Sequence, residues 1–517
     1  MSRLEKSVKN IIYAFGNSFF SSVLSFVSRT VFIYCLGSEY LGLSGLLNNV
    51  LGMLTITDMG ISTAIGFSLY KPLAKKDYES VSALMSVYRK SYATIGGIVF
   101  FSGIVLFQFL DFFVPVAQQP KGTGVAYFAF LLNIVIGYFF SYKTTLLASD
   151  HKSYKIVPLN INISILQTVL QVIVLLIWKN YVIYLAVQII GSILIVIMQN
   201  RLITKLYKEV DFYSNKKISV DTKQELKRSI GGLIIGKLGD YLVNSTDNLI
   251  ITKMVSLGAT GIYSNYLLIR NMINGYIATI FAGITGGMGN VVAVENDKKK
   301  LEIFNTMFFC AFFIYSLEAT CFMCLFNIFI GDIWIGKEYV FDTFTVAIIV
   351  INNFLTGLRI PIITMKSVAG KYMEDAWVPF AFGTINFIIS ILLVRKMGIS
   401  GVFLGTIVSS ILTADWYRPI VIYKTVFHAP VRLYFKKYAL YICLGLIYIM
   451  GTYGICNLVR SGIIYVDFII SGIIAVMLPT IVSCILFYKT SEFKAIKNMG
   501  QRIANGIKKK VKPVKKL

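Results

Sequence analysis

Acidic residues, histidine and tryptophan are all scarce in this chain. Twenty-five Asp and Glu stand against 50 Lys and Arg, with two His and four Trp in 517 residues. The histidines, His151 and His428, have no partner at metal-ligand spacing, so no metal site is expected. The seven cysteines are scattered, nearly all in apolar runs, and read as core residues rather than disulfides. Cys321-x-x-Cys324 sits in a hydrophobic helix with no βαβ context, which argues against redox chemistry. A Walker-type phosphate loop, GxSxG and HExxH are all missing. No ATPase is expected, and no pair of acidic residues in a sizeable aqueous segment supports an enzyme of another kind. The opening MSRLEKSVKN runs into a long apolar segment without a small-residue cleavage site, so no cleavable signal is expected.

What the chain has in abundance is apolar sequence. It is 56% hydrophobic with a mean hydropathy of +0.71, a composition of polytopic membrane proteins rather than soluble domains. Runs long enough to cross a bilayer recur at 10–36, 41–69, 87–109, 124–148, 156–178, 181–200, 230–252, 262–290, 302–330, 340–364, 376–395, 398–423, 434–458 and 463–488. The expected fold class is an all-α polytopic membrane protein of about 14 transmembrane helices.

The net charge of +25 would suit nucleic acid, but its placement does not. Most of the basic residues fall in the N-terminus, in alternate connections and in the tail. The intervening connections hold only Lys121, Lys179, Lys253, Lys337, Arg395, Lys396 and Arg460. That asymmetry is the positive-inside pattern, with both termini cytoplasmic and an even number of spans. The outward connections are then short; the longest is Asp111–Gly124. The tail, with Lys508-Lys509-Lys510 and Lys515-Lys516, is either solvated or laid on anionic headgroups.

The chain divides at the basic segment Arg201–Ser229, and a weak repeat spans it. Leu36-Gly37 then Gly42-Leu43-Ser44 resembles Leu257-Gly258 then Gly261-Ile262-Tyr263, and Asp77 matches Asp297, at an offset of about 220 residues. Six spans separate the copies, so both enter the membrane in the same direction, a parallel repeat. The expected organisation is an N-lobe at 1–205 (spans 1–6), a cytoplasmic linker at 206–229 and a C-lobe at 230–425 (spans 7–12). Spans 13–14 follow at 426–490, and a basic tail at 491–517.

Ionisable groups inside spans cost about 2.5–3.5 kcal/mol each at mid-membrane and mark function by default. The stretch GGLIIGKLGDYLVNSTD (231–247) places Lys237, Asp240, Asn244 and Asp247 on one helix face. Either Lys237 and Asp240 form an ion pair knitting two helices, or the face borders a polar passage. The first span carries Asn17, Ser21, Ser25 and Ser28 on one stripe beside Arg29. The second carries Ser44, Asn48, Thr55, Asp58 and Ser62, and the eighth Tyr263, Arg270 and Asn274. Small polar residues also serve as helix-packing contacts. Glu318 and Arg359 complete the intramembrane charges, and Arg359, near a helix end and followed by Pro361, is placed to snorkel.

Several of these segments resemble a known family. LTITDMGISTAI followed by LYKPLAKKDYESV, then GDYLVNSTDNLIITKMVSLGATGIYS, FNIFIGDIWIGKEYVF and MGISGVFLGTIVSS are similar to polysaccharide-export flippases of the multidrug/oligosaccharidyl-lipid/polysaccharide exporter superfamily, over about residues 10–425. The resemblance implies two lobes around a central cationic cavity in a bacterial cytoplasmic membrane. It also implies movement of undecaprenyl-diphosphate-linked oligosaccharide units between leaflets. Asp58 and Asp247 occupy the acidic positions of spans two and seven by family pattern. From helix faces alone, Arg29, Lys237 and Arg270 are candidates for the diphosphate, and Asn17, Asn48, Asn244 and Asn274 for sugar hydroxyls. Asp58, Asp240, Asp247 and Glu318 are candidates for coupling to Na⁺ or H⁺; membrane potential is the alternative drive. No cofactor and no nucleic-acid partner is expected. The expected protein is a monomer, associated if at all with polysaccharide polymerase machinery. A multidrug cation antiporter, a peptidoglycan-precursor or teichoic-acid flippase, and a membrane polysaccharide polymerase are the competing readings.

Overall fold

The computed structural model describes residues 3–58, 61–214, 216, 218, 246–371 and 374–498; side chains are described there except at 3–12, 14–15, 56–58, 63, 140 and 282–294. All regular structure among these residues is helical. That is the expected solution in lipid, where each backbone N–H and C=O must find its partner within the segment. Ten helices are long and apolar enough to cross a membrane among the described residues, and the bent pair at residues 123–149 makes eleven. Of the three other expected spans, the second is broken, the eighth is a long helix, and the seventh lies mostly outside the described residues, with Lys237, Asp240 and Asn244. So do much of the linker at 206–229 and the tail from 499.

The chain forms two compact units, Met1–Tyr276 and Ile277–Leu517. In the first, α1 (Arg3–Leu36) leads through Gly37 into α2 (Ser38–Gly52). Gly37 has φ +84°, a conformation that glycine alone adopts without strain. A 3₁₀ turn at Met53–Asp58 interrupts the second span before α3 (Ile61–Lys75). There follow α4 (Tyr78–Phe107), the short α5 (Leu110–Phe113), α6 (Thr123–Phe140) and α7 (Tyr142–Ser149), the last two bent by 50°. The hairpin of α8 (Val157–Trp178) and α9 (Tyr181–Leu206) comes next, then α10 (residues 246–254) and the start of α11 (Leu257–Val294). Lys179 closes the α8–α9 hairpin at φ +47°, and the Asn180 carboxamide caps α9 by accepting from the Val182 and Ile183 amides at 2.9 and 3.2 Å. Helix α1 packs on α8, α8 on α9, and α6 on both α4 and α9.

The sequence repeat has a structural counterpart. A Cβ on Gly42 would strike the carbonyl of Leu257, and a Cβ on Gly261 would strike the carbonyl of Ser38. Gly42 and Gly261, and Ser38 and Leu257, are each 219 positions apart, so repeat-related residues meet one another reciprocally where α2 and α11 begin. The helix caps keep the same offset. Asp77 caps α4 through the Ser80 amide at 3.0 Å, and its equivalent is Asn296, which caps α12 through the Lys299 amide at 2.9 Å. The matching cap is therefore Asn296, one residue before the Asp297 suggested by sequence.

The second unit is built on α12 (Asp297–Asn327), which packs on α13 (Thr343–Val368), α17 (Arg432–Leu458) and α18 (Ile464–Phe487). Its core is aromatic: Phe312 stacks on Tyr441 at 4.4 Å and Phe308 on Tyr434 at 5.1 Å. Rings also sit in glycine notches, Tyr315 against Gly357 and Phe354 against Gly445. The hairpin of α14 (Val378–Met397) and α15 (Ile399–Leu412) closes over Gly401 and Gly405, spaced four apart, which lets the backbones approach. Then comes α16 (Ala414–Ile422).

Apolar side chains also face outward, among them Leu458, Met450 and Ile447 of α17. A lipid solvent leaves such residues at no disadvantage, which separates apolarity from burial. The cysteines show it: Cys324 and Cys456 are buried as expected, but Cys443 and Cys484 are exposed, and all seven are free.

Candidate functional site

The polar stripe of α1 opens onto a cavity of about 380 Å³ inside the first unit. Ser21, Ser25, Ser28 and Arg29 line it from α1, at helical spacing that keeps them on one face. Ser44 and Asn48 contribute from α2, one turn apart. Helix α8 adds Ser164, Gln167, Thr168 and Gln171, and α9 adds Tyr184 and Gln188. Apolar side chains complete the wall, among them Phe32 and Leu268.

Among the described residues Arg29 is the only charged one in this lining, and none of them brings a carboxylate to it there. Its guanidinium donates to the Ser264 hydroxyl of α11 at 2.8 Å. The hydroxyls are held in place by neighbours. Ser28 and Tyr184 are 3.4 Å apart, Ser44 and Tyr181 are 2.7 Å apart, and the Asn48 amide donates to the Ser44 carbonyl at 3.0 Å. A guanidinium with spare donors, surrounded by hydroxyls and carboxamides, offers charge-assisted bonds to an anion and ordinary ones to a polyol.

The other expected residues divide among several places. Asn48 joins Arg29 in the cavity, whereas Asn17 is half-buried on α1 outside its lining. Arg270 bonds the Tyr263 phenol one helical face along α11, and Asp247 of α10 lies within electrostatic reach of the same phenol. Asn274 is half-buried further along α11. The Asp58 backbone ends the 3₁₀ turn; its side chain is outside those described. Glu318 lies in the second unit, 6% exposed, accepting from the Asn353 amide at 3.0 Å.

Arg359, placed by sequence to snorkel, is instead tied into the second unit. It donates to Ser410 at 2.5 Å and to Thr356 at 2.7 Å, and pairs with Asp415 at 3.5 Å. A buried acid within reach outcompetes the distant interface.

The glutamines of α8 and α9 were not among the residues expected from sequence. They carry no charge, and charge was the criterion that made the other positions conspicuous. Their signal was the i, i+4 spacing of Gln167 and Gln171 within an otherwise apolar run.

The described residues form a multi-pass helical membrane protein with broken and bent spans and a polar cavity. Solved structures of other membrane proteins share the fold. An inward-facing multidrug resistance MATE family transporter matches with a TM-score of 0.61 at 14% identity, over 80% of this chain and 99% of that one. The lipid II flippase MurJ in an inward closed conformation matches with a TM-score of 0.61 at 14% identity, over 92% of this chain and 99% of that one. The MATE multidrug transporter DinF-BH matches with a TM-score of 0.60 at 14% identity, over 83% of this chain and 98% of that one. No curated protein matches by sequence. The family model described as polysaccharide biosynthesis protein matches residues 7–284, more than half of the chain, and the chain belongs to that family.

Proposed function

We propose that this protein is a transporter, not an enzyme, which moves undecaprenyl-diphosphate-linked oligosaccharide units from the inner to the outer leaflet of a bacterial cytoplasmic membrane for capsular or surface polysaccharide synthesis. The observation that carries the reading is the cavity around Arg29, in a chain of the polysaccharide biosynthesis family. A hydrophilic glycan cannot cross hydrocarbon, whereas its lipid tail can stay there. The protein need only shelter the head. The guanidinium of Arg29 supplies bidentate, charge-assisted bonds to a phosphate or carboxylate, and the hydroxyls and amides around it bond sugar hydroxyls. Alternating access to the two leaflets completes the cycle. Export of negative charge down an inside-negative potential releases about 2.3 kcal/mol per charge per 100 mV, enough to assist without a coupling ion. Both termini lie in the cytoplasm on this reading, following the positive-inside pattern.

The multidrug alternative asks for carboxylates facing a cationic substrate; the Arg29 cavity presents a cation instead. The test has two arms. Cells lacking the protein are examined for lipid-linked oligosaccharide retained on the inner leaflet. The purified protein in proteoliposomes is assayed for flipping of such a lipid, with Arg29→Ala beside it. The expected results are accumulation in the deleted strain, flipping by the wild type, and loss of flipping in Arg29→Ala. Normal lipid distribution in the deleted strain rejects the reading.

A further inference from the structure

We propose that the carboxamides of Gln167, Gln171 and Gln188 form a subsite that reads the hydroxyls of a single neutral sugar ring, beside the anion-binding Arg29. The proposal rests on the flippase reading and specifies which part of the headgroup this cavity holds.

Three observations carry it. Gln171 is 4% exposed, lines the cavity and makes no hydrogen bond to another described side chain or backbone group. Its neighbours bury the rest of the side chain while the carboxamide stays open to the cavity, so its donors and acceptor are placed for something that enters. Gln167 has had room made for it. The opposing position on α9 is Gly191, whose Cβ, if present, would lie 2.7 Å from the Gln167 Cδ and 3.0 Å from its Cγ. A glycine in a helix interior is otherwise unfavourable by about 1 kcal/mol against alanine. Finally, Gln188 falls level with Gln171, because α8 and α9 run antiparallel about the Lys179–Asn180 turn, and both line the same cavity.

A carboxamide both donates and accepts, as a sugar hydroxyl does, and it discriminates by geometry rather than charge. Among the described residues, cations find no acid in this lining. A volume of about 380 Å³ is near the lower end of ligand pockets, about 300–1,000 Å³. That suits one ring and not a whole oligosaccharide. Phe32 and Tyr184 in the wall add apolar surface for sugar C–H groups.

The test uses the full chain in nanodiscs and a panel of methyl glycosides: glucoside, galactoside, N-acetylglucosaminide and glucuronide. Binding is titrated by saturation-transfer NMR, with thermal melting recorded for each variant. At least one neutral glycoside is expected to bind saturably. Gln171→Leu and Gly191→Ala, which displaces the Gln167 amide, are each expected to weaken it about tenfold. Thr94→Val, on an exposed face of α4, leaves it unchanged. Arg29→Ala weakens the glucuronide more than the neutral rings. Absence of saturable binding, or unchanged affinity in both variants at unchanged melting temperature, overturns the subsite. That result leaves the flippase reading intact if the purified protein still flips lipid-linked oligosaccharide. Loss of flipping in the wild type with glycoside binding retained does the reverse.

Discussion

Alanine at Gly42 or Gly261 should separate the starts of α2 and α11. A Cβ at Gly42 would lie 3.0 Å from the Leu257 carbonyl carbon and 3.2 Å from the Gly261 nitrogen, with the Leu257 oxygen nearer still. A Cβ at Gly261 would lie 2.8 Å from the Ser38 carbonyl carbon and 3.2 Å from the Gly42 nitrogen. Both obstacles are backbone, which cannot rotate away as a side chain can. Restoring ordinary contact at about 3.5–4.0 Å with the carbonyl oxygens needs the helices to part by roughly 1.5–2 Å. Overpacking of this kind costs about 1–3 kcal/mol, partly offset by the gain of up to about 1 kcal/mol in helix propensity. Each single variant should therefore melt a few degrees below the wild type in detergent, followed by intrinsic fluorescence and by size exclusion. The reciprocity makes a sharper demand. Once one alanine has parted the helices, the second finds space already made, so Gly42→Ala with Gly261→Ala should cost clearly less than the sum of the two. Gly45→Ala is the control, since its Cβ would meet nothing within 4 Å, and it should be neutral or stabilising. Single variants as stable as the control, or a strictly additive double, would refute the reciprocal contact.

Other consequences are open to measurement. Asp375 is 1% exposed and accepts from Lys366 at 2.7 Å and from Arg418 at 2.9 Å. Asp375→Asn leaves two largely buried cations without their acid and should destabilise by about 3–5 kcal/mol, read as a large drop in melting temperature or loss of the monodisperse peak. Glu318→Leu removes the carboxylate that accepts from the buried Asn353 amide and should cost about 1–3 kcal/mol in thermal stability, whereas Glu318→Gln, which keeps an acceptor there, should cost less. Burial acts to raise the Glu492 carboxyl, but the Lys437 ammonium at 2.6 Å and a backbone bond outweigh it and hold it below its ordinary value of 4.5. A depressed carboxyl stabilises the fold above its unfolded value, and that contribution fades as pH falls from about 4.5 through the folded value. Lys437→Met should flatten the fall in melting temperature over that acid window.

Helical periodicity and apolar length made the helices legible, because lipid permits few other structures and both signals are local. The repeat was visible as a few glycines and a helix-capping acid, and the structure returns it as Gly42 against Gly261, with the cap shifted from Asp297 to Asn296. Arg29 stood out because a charge in an apolar run is costly. Gln167, Gln171 and Gln188 did not, since an amide costs less and passes as helix-packing polarity. The partner of Arg359 was equally hidden. Tyr263 was legible seven residues before Arg270 on one helix face, whereas Asp415 reaches Arg359 from another helix, and such a meeting depends on tertiary packing that no spacing along the chain encodes.

Helix α13 is fastened to its neighbours at two heights. Arg359 reaches Ser410 and Asp415, and seven residues on, Lys366 shares Asp375 with Arg418. Because Asp415 and Arg418 both belong to α16, a bolt at each level joins the same two rods, about 10 Å apart along α13. Neither rod can then slide or swivel past the other without breaking an ion pair away from water. Whatever rearrangement the second unit undergoes in use, α13 and α16 travel as one stiff plate, and the bending falls to the joints on either side of it.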